Sequence, residues 1–188
     1  YMTNRYFPPQ RLIEDMQARL PELLGSYPST NWHLSSLLAE QVGLSHRELV
    51  VANGASELIS AISSRYIRRL AVPVPTFDEF VNRAQAQGKE VIPFRLPMQS
   101  DFNLDIKAFI GHVKSCGANS ALLIRPNNPT GSYLSKGDLT YFLDNMGSLD
   151  LVLVDESFID FVDAEPDPSA LSLISKYPNP IILKSLSK

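Results

Sequence analysis

A chain of 188 residues with 44% hydrophobic and 20% charged residues can bury one sizeable α/β core, or two small domains at most. Its net charge of −3, with both signs dispersed, leaves no electrostatic footprint for nucleic acid or an anionic membrane. A lone cysteine, Cys116, excludes an intrachain disulfide and a cysteine metal cluster, and no apolar run or leader-like start marks a membrane or secreted protein, so a cytoplasmic location is expected.

The predicted elements alternate along the chain. Leu12, Ile13, Met16, Leu20, Leu23 and Leu24 share one face of a helix from Pro9 to Leu24. A turn at 25–29 follows, and Thr30 or Asn31 caps a second helix that Gly43 stops. Leu49 to Ala52 reads as a short buried strand, and a helix follows Asn53-Gly54-Ala55-Ser56 as far as about Arg69. The basic residues Arg65, Arg68 and Arg69 at its end read as a solvated helix terminus. Strands are then expected at Leu70–Val74, Glu90–Phe94, Ser120–Ile124, Leu149–Val154 and Pro180–Leu183. Helices between them are expected at Phe77–Gln87, Asp105–Cys116, Ser135–Met146 and Ala170–Lys176, and residues 163–169 form a surface loop. Continuous apolar strands separated by helices predict a three-layer α/β/α architecture with a mostly parallel central sheet.

Ligands of such sheets sit beyond the carboxyl ends of the strands, and five predicted ends carry polar or reactive groups. Gly54, Ala55 and Ser56 open a helix straight after a strand, where free N–H groups, a positive dipole end and a hydroxyl suit a phosphate. They equally suit a plain turn capped by Asn53 or Ser56, and they lack both the dinucleotide and the triphosphate-loop spacing. Phe77 can stack on a flat ligand or pack into the core. Asn128, in a loop stiffened by Pro126 and Pro129, can donate to an oxygen, or the segment is simply a turn. Asp155 closes an apolar strand, where a carboxylate is costly unless paired. It can cap a helix, form a salt bridge, or keep a pyridine nitrogen protonated. Lys188 follows Ser185 and Ser187 at the last strand end. It is a surface lysine, or an amine withdrawn from water and able to form a Schiff base.

Taken together the five groups answer one need: a ring nitrogen, a phenolic oxygen, a ring face, a phosphate and an aldehyde. The segments Asn53–Ile59 (NGASELI), Pro75–Phe80 (PTFDEF), Arg125–Gly131 (RPNNPTG), Asp155–Phe161 (DESFIDF) and Ser185–Lys188 (SLSK) resemble, in order, those of the class I/II aminotransferases, the fold-type I pyridoxal-phosphate enzymes. Within that family the likeness points toward histidinol-phosphate aminotransferase and threonine-phosphate decarboxylase.

The resemblance implies a pyridoxal 5'-phosphate cofactor, no metal, and Lys188 as Schiff-base lysine and proton shuttle. It makes Asp155 the partner of the pyridine nitrogen, Asn128 the donor to the phenolic oxygen and Phe77 the ring-stacking residue. Gly54, Ala55, Ser56, Ser185 and Ser187 lie around the phosphate. Tyr27 sits in a Tyr-Pro turn like the one relatives contribute across a homodimer to the partner's phosphate, and Tyr6 in a segment that lines the substrate entrance. Residues 1–30 are then an N-terminal arm and helix, and 31–188 the cofactor-binding large domain. That domain is expected to continue past Lys188 toward a substrate-carboxylate arginine and a small domain. Phe158 departs from the tyrosine usual in transaminases and removes a donor to the phenolic oxygen; decarboxylase-like members accept phenylalanine there.

The expected activity is amino transfer from an amino acid or amino-phosphate substrate to a 2-oxo acid. The alternatives are a decarboxylase of a phosphorylated or phosphonate amino acid, and a regulatory domain that binds the cofactor without catalysis.

Overall fold

The computed structural model describes residues 6–186. They fall into two units, 6–53 and 54–186.

In the first unit, helix α1 (Gln10–Gly25) follows Pro9 and runs through Pro21, and α2 (Asn31–Val42) is capped at both ends. The Thr30 hydroxyl accepts the His33 N–H, and Gly43 closes the helix at φ 70°, a left-handed position that glycine adopts without strain. Met16, Leu20, Leu23 and Leu24 of α1 are exposed. Leu49–Ala52, expected as a strand, joins no ladder: the Val51 N–H goes to the Ser35 hydroxyl instead. A run of four apolar residues reads as strand only where a neighbouring strand receives it.

The second unit is built on a five-stranded, wholly parallel sheet in the order β2-β1-β3-β4-β5. Its strands are β1 (Arg69–Val74), β2 (Glu90–Arg95), β3 (Ser120–Ile124), β4 (Leu151–Asp155) and β5 (Pro180–Leu183). Helices α3 (Ala55–Tyr66) and α4 (Glu79–Ala86) precede and follow β1, α5 (Ile106–Cys116) precedes β3, and α6 (Lys136–Asn145) precedes β4. Asp105 caps α5 and Ser135 caps α6 through side-chain oxygens, which is why both helices begin one residue after these positions. The expected helix over 170–176 shrinks to a single 3-10 turn, Leu171–Leu173. Among the described residues no helix is long and apolar enough to cross a membrane.

Side chains alternate across the sheet and so build two cores. Leu70, Val72, Leu122, Leu151, Leu153 and Leu183 pack with Ile59 of α3 and Phe80 of α4 on one face. Ala71, Ala121, Leu123, Val152 and Val154 pack with Phe109 of α5 and Phe142 of α6 on the other. Helices thus cover both faces, the three-layer arrangement expected from the apolar strands. The sheet order reverses between β1 and β3: the chain leaves β1 toward β2 on one side and returns to β3 on the other. In open parallel sheets that point marks the ligand crevice.

Candidate functional site

The carboxyl ends of β3, β4 and β5 are level, with Ile124 opposite Asp155 and Asp155 opposite Leu183. Asp155 follows Leu151 and Leu153 in the strand alternation, so its carboxylate stands on the α3/α4 face. It is only 5% exposed, and one oxygen accepts the Ser157 N–H at 2.8 Å. That turn-forming bond fixes the side chain without neutralising its charge.

Phe77 lies on the same face, edge-on to Phe80 with ring centroids 6.3 Å apart. It remains 39% exposed, so a flat ligand can reach it.

The α3 N-terminus completes this face. Its cap position is Gly54, at φ 86° and ψ 158°. The first N–H groups of a helix have no partner within it, and with the dipole they suit an anion. The Ser56 hydroxyl is turned to α4: hydrogen bonds from Arg83, then from Ser56, hold the Glu79 carboxyl below its usual range. A Cβ on Gly54 would meet nothing within 4 Å, so backbone strain alone opposes substitution. Gly54→Ala should cost about 1–3 kcal/mol, a loss read as a lower thermal midpoint, because this φ/ψ region is open to glycine almost exclusively. An unchanged midpoint would show that the α3 entry is not built as described.

At the switch point Asn127, adjacent to Asn128, clamps two strand exits together. Its amide nitrogen donates to Pro75 O at 2.9 Å and its amide oxygen accepts from the Thr76 hydroxyl at 2.9 Å. The same nitrogen also reaches the Thr130 hydroxyl at 2.8 Å, closing the turn that carries Asn128. Asn128 itself is half-buried between Asn127 and Pro129. A cleft of about 220 Å³ opens beside the clamp, over Leu123 and Leu134 of the α5/α6 core. Phe77, Asn128 and Asp155 do not line it.

Sequence reasoning passed over the two most buried charges of the region, Arg125 and Glu156, which form an ion pair between the β3 and β4 exits. Two opposite charges directly after neighbouring apolar strands were the available signal.

Phe158 is half-buried, 6.3 Å from Phe161 between ring centroids, and offers no hydroxyl. Ser185 is half-buried after β5, whose exit is tied down by a 3.5 Å ion pair between Lys184 and Asp160. Tyr6 and Tyr27 belong to the first unit and are 91% and 100% exposed. Ser187 and Lys188 lie outside the described residues.

An acid and an aromatic ring on one face, a helix N-terminus on that face, and an amide on the neighbouring loop form a donor set suited to a phosphorylated pyridine. The family model for aminotransferase class I and II matches residues 3–188. The chain belongs to this family. Class I/II aminotransferases depend on pyridoxal phosphate.

An L-serine phosphate decarboxylase of Campylobacter jejuni is 30% identical over 183 residues, covering 95% of this chain and 46% of that protein. The histidinol-phosphate aminotransferase of Bacillus subtilis is 31% identical over 158 residues, 82% of this chain and 43% of that protein. The solved structure of a decarboxylase from Sulfurospirillum multivorans superposes with a TM-score of 0.89 at 29% identity, covering all of this chain and 50% of that one. The chain thus spans under half the length of these two curated relatives.

Proposed function

We propose that this chain provides the cofactor-binding part of a pyridoxal-phosphate enzyme that decarboxylates a phosphorylated amino acid, of which L-serine phosphate is the first to test. The observation that carries this reading is the likeness over the whole chain to the Sulfurospirillum decarboxylase, at a TM-score of 0.89. Sequence motifs alone favoured amino transfer. The similarity to L-serine phosphate decarboxylases of two organisms, at 30% and 32% identity, moves the balance, as does Phe158 in place of a tyrosine. Amino transfer stays the second reading, supported by the 31% identity to histidinol-phosphate aminotransferase.

When bound, pyridoxal phosphate supplies an electron sink for the pair left at the substrate Cα. In this reading Asp155 keeps the ring nitrogen protonated, and its burial makes that interaction strong. Asn128 donates to the phenolic oxygen, Phe77 covers one ring face and keeps water from it, and the α3 N–H groups, that of Ser56 among them, hold the phosphate with Ser185 and Ser187. Lys188 holds the carbonyl carbon until substrate arrives, then moves a proton to or from Cα as an amine. In decarboxylation the bond from Cα to the carboxylate breaks, carbon dioxide leaves, and the proton takes its place. In amino transfer the α-proton leaves instead. Asp155, Asn128 and Phe77 serve both reactions alike.

The reading includes a cytoplasmic homodimer in which Tyr27 reaches the second copy's phosphate, with residues 1–30 as an arm, Tyr6 near the substrate entrance, and 31–188 as the cofactor domain. The exposed apolar residues of α1 support an oligomer.

Full-length protein given pyridoxal phosphate and L-serine phosphate, with no 2-oxo acid, should release one carbon dioxide per phosphorylated amine formed. No carbon dioxide, together with amino transfer once a 2-oxo acid is added, would overturn decarboxylation in favour of the second reading.

A further inference from the structure

Arg125 is fully buried and Glu156 is 1% exposed, and each is bonded almost to capacity. The Arg125 Nη1 donates to Glu156 and, at 2.9 Å, to Pro168 O. Its Nε donates to Leu134 O and its Nη2 to the Tyr133 hydroxyl, both at 2.9 Å. Burial pushes the Tyr133 phenol up, so that oxygen stays a neutral acceptor. Glu156 accepts from the Ala170 N–H at 2.9 Å and the Ser169 hydroxyl at 3.0 Å. The backbone continues the sheet beneath them: Arg125 N–H donates to Asp155 O, and Glu156 N–H to Leu183 O.

The placement of this network is specific. Arg125 opens the loop that carries Asn128, and its bonds to Tyr133 and Leu134 close that loop at the far end. Glu156 is the chain neighbour of Asp155 but falls on the opposite face of the sheet, with Leu134 and Ala170 of the α5/α6 core. One ion pair therefore joins the loop bearing the ring-oxygen donor to the strand end bearing the ring-nitrogen acid. It also balances its own charge, so Arg125 places no net positive charge behind Asp155.

Stability alone is a weak reason for such a pair, since apolar residues of similar volume often serve a core as well. We propose that Arg125 and Glu156 are positioning residues that set the spacing of Asp155 and Asn128 around the cofactor ring. This rests on the cofactor-binding reading above.

The test uses the full-length protein and its Glu156→Gln and Arg125→Lys variants, of which the second keeps the charge should the first fail to fold. Pyridoxal phosphate affinity is measured by titration, the pH midpoint of the bound cofactor's visible absorbance by spectroscopy, and the thermal midpoint without cofactor by unfolding. Both variants should bind about 10- to 100-fold more weakly, as expected for a small misplacement of interacting groups. In Glu156→Gln the absorbance midpoint should also move down, because an uncompensated positive charge disfavours a protonated ligand. A fall in thermal midpoint with affinity and absorbance unchanged would make the pair a structural element and overturn the proposal. Failure of the parent protein to bind pyridoxal phosphate would instead overturn the cofactor reading, and the proposal with it.

Discussion

Replacing Lys188 with alanine in the full-length protein is expected to abolish the visible absorbance of the lysine-held cofactor and to cut turnover by at least about 10⁴-fold, the upper range for a positioned general base. The side chain follows β5, whose Leu183 is level with Asp155, and comes three residues after Ser185. In the proposed mechanism its amine has two tasks, covalent attachment of the cofactor and proton transfer at Cα, and alanine removes both. The phosphate and ring contacts stay, so the variant should still bind pyridoxal phosphate, now reversibly and dialysably. Added methylamine should restore a small part of the turnover by supplying the missing base from solution. Such rescue separates lost chemistry from lost folding. Retention of the absorbance and of full turnover in Lys188→Ala would remove the basis of the proposed mechanism.

What the sequence revealed of this fold follows from where the decisive energies act. A strand buried on both faces needs apolar residues, so β3 at Ser120–Ile124 was legible to the residue, and the apolar run Pro180–Leu183 marked β5, although that edge strand is only half-buried. Caps are local chemistry, and Thr30, Asp105 and Ser135 each announce a helix start. Leu49–Ala52 and Ala170–Lys176 were misread, the first because its fate depends on a partner distant in the chain. Ser35 takes the Val51 N–H in place of a ladder, and the 170–176 segment closes through tight turns from Leu173 N–H to Ala170 O and from Ile174 N–H to Leu171 O rather than as an α-helix.

The site divides along the same line. Asp155 stood out because a carboxylate after four apolar residues carries a desolvation cost that needs an explanation. Arg125 and Asn127 looked like ordinary loop residues, since their roles exist only once β1, β3 and β4 lie side by side. Asn127 spans 52 residues of sequence to reach Pro75, and Arg125 spans 31 to reach Glu156. The motif RPNNPTG pointed to Asn128, whereas the neighbours that hold Asn128 in place became visible only in three dimensions.

Asp155→Asn should lower turnover by about 10²- to 10⁴-fold at saturating cofactor, since loss of one partner of a buried charge pair costs about 3–5 kcal/mol and each 1.4 kcal/mol is tenfold. Asparagine preserves the shape, and its amide oxygen can still accept the Ser157 N–H, so the β4 exit should keep its geometry. What goes is the negative charge, at a position 5% exposed where water cannot replace it. A cofactor analogue with carbon in place of the ring nitrogen supplies the matching half of a double-substitution cycle. With the parent protein the analogue should be about as slow as the natural cofactor is with Asp155→Asn, because each change removes one end of the same interaction. Combining the two should cost little more than either alone. Two independent, multiplying losses would instead mean that Asp155 does not act on the ring nitrogen.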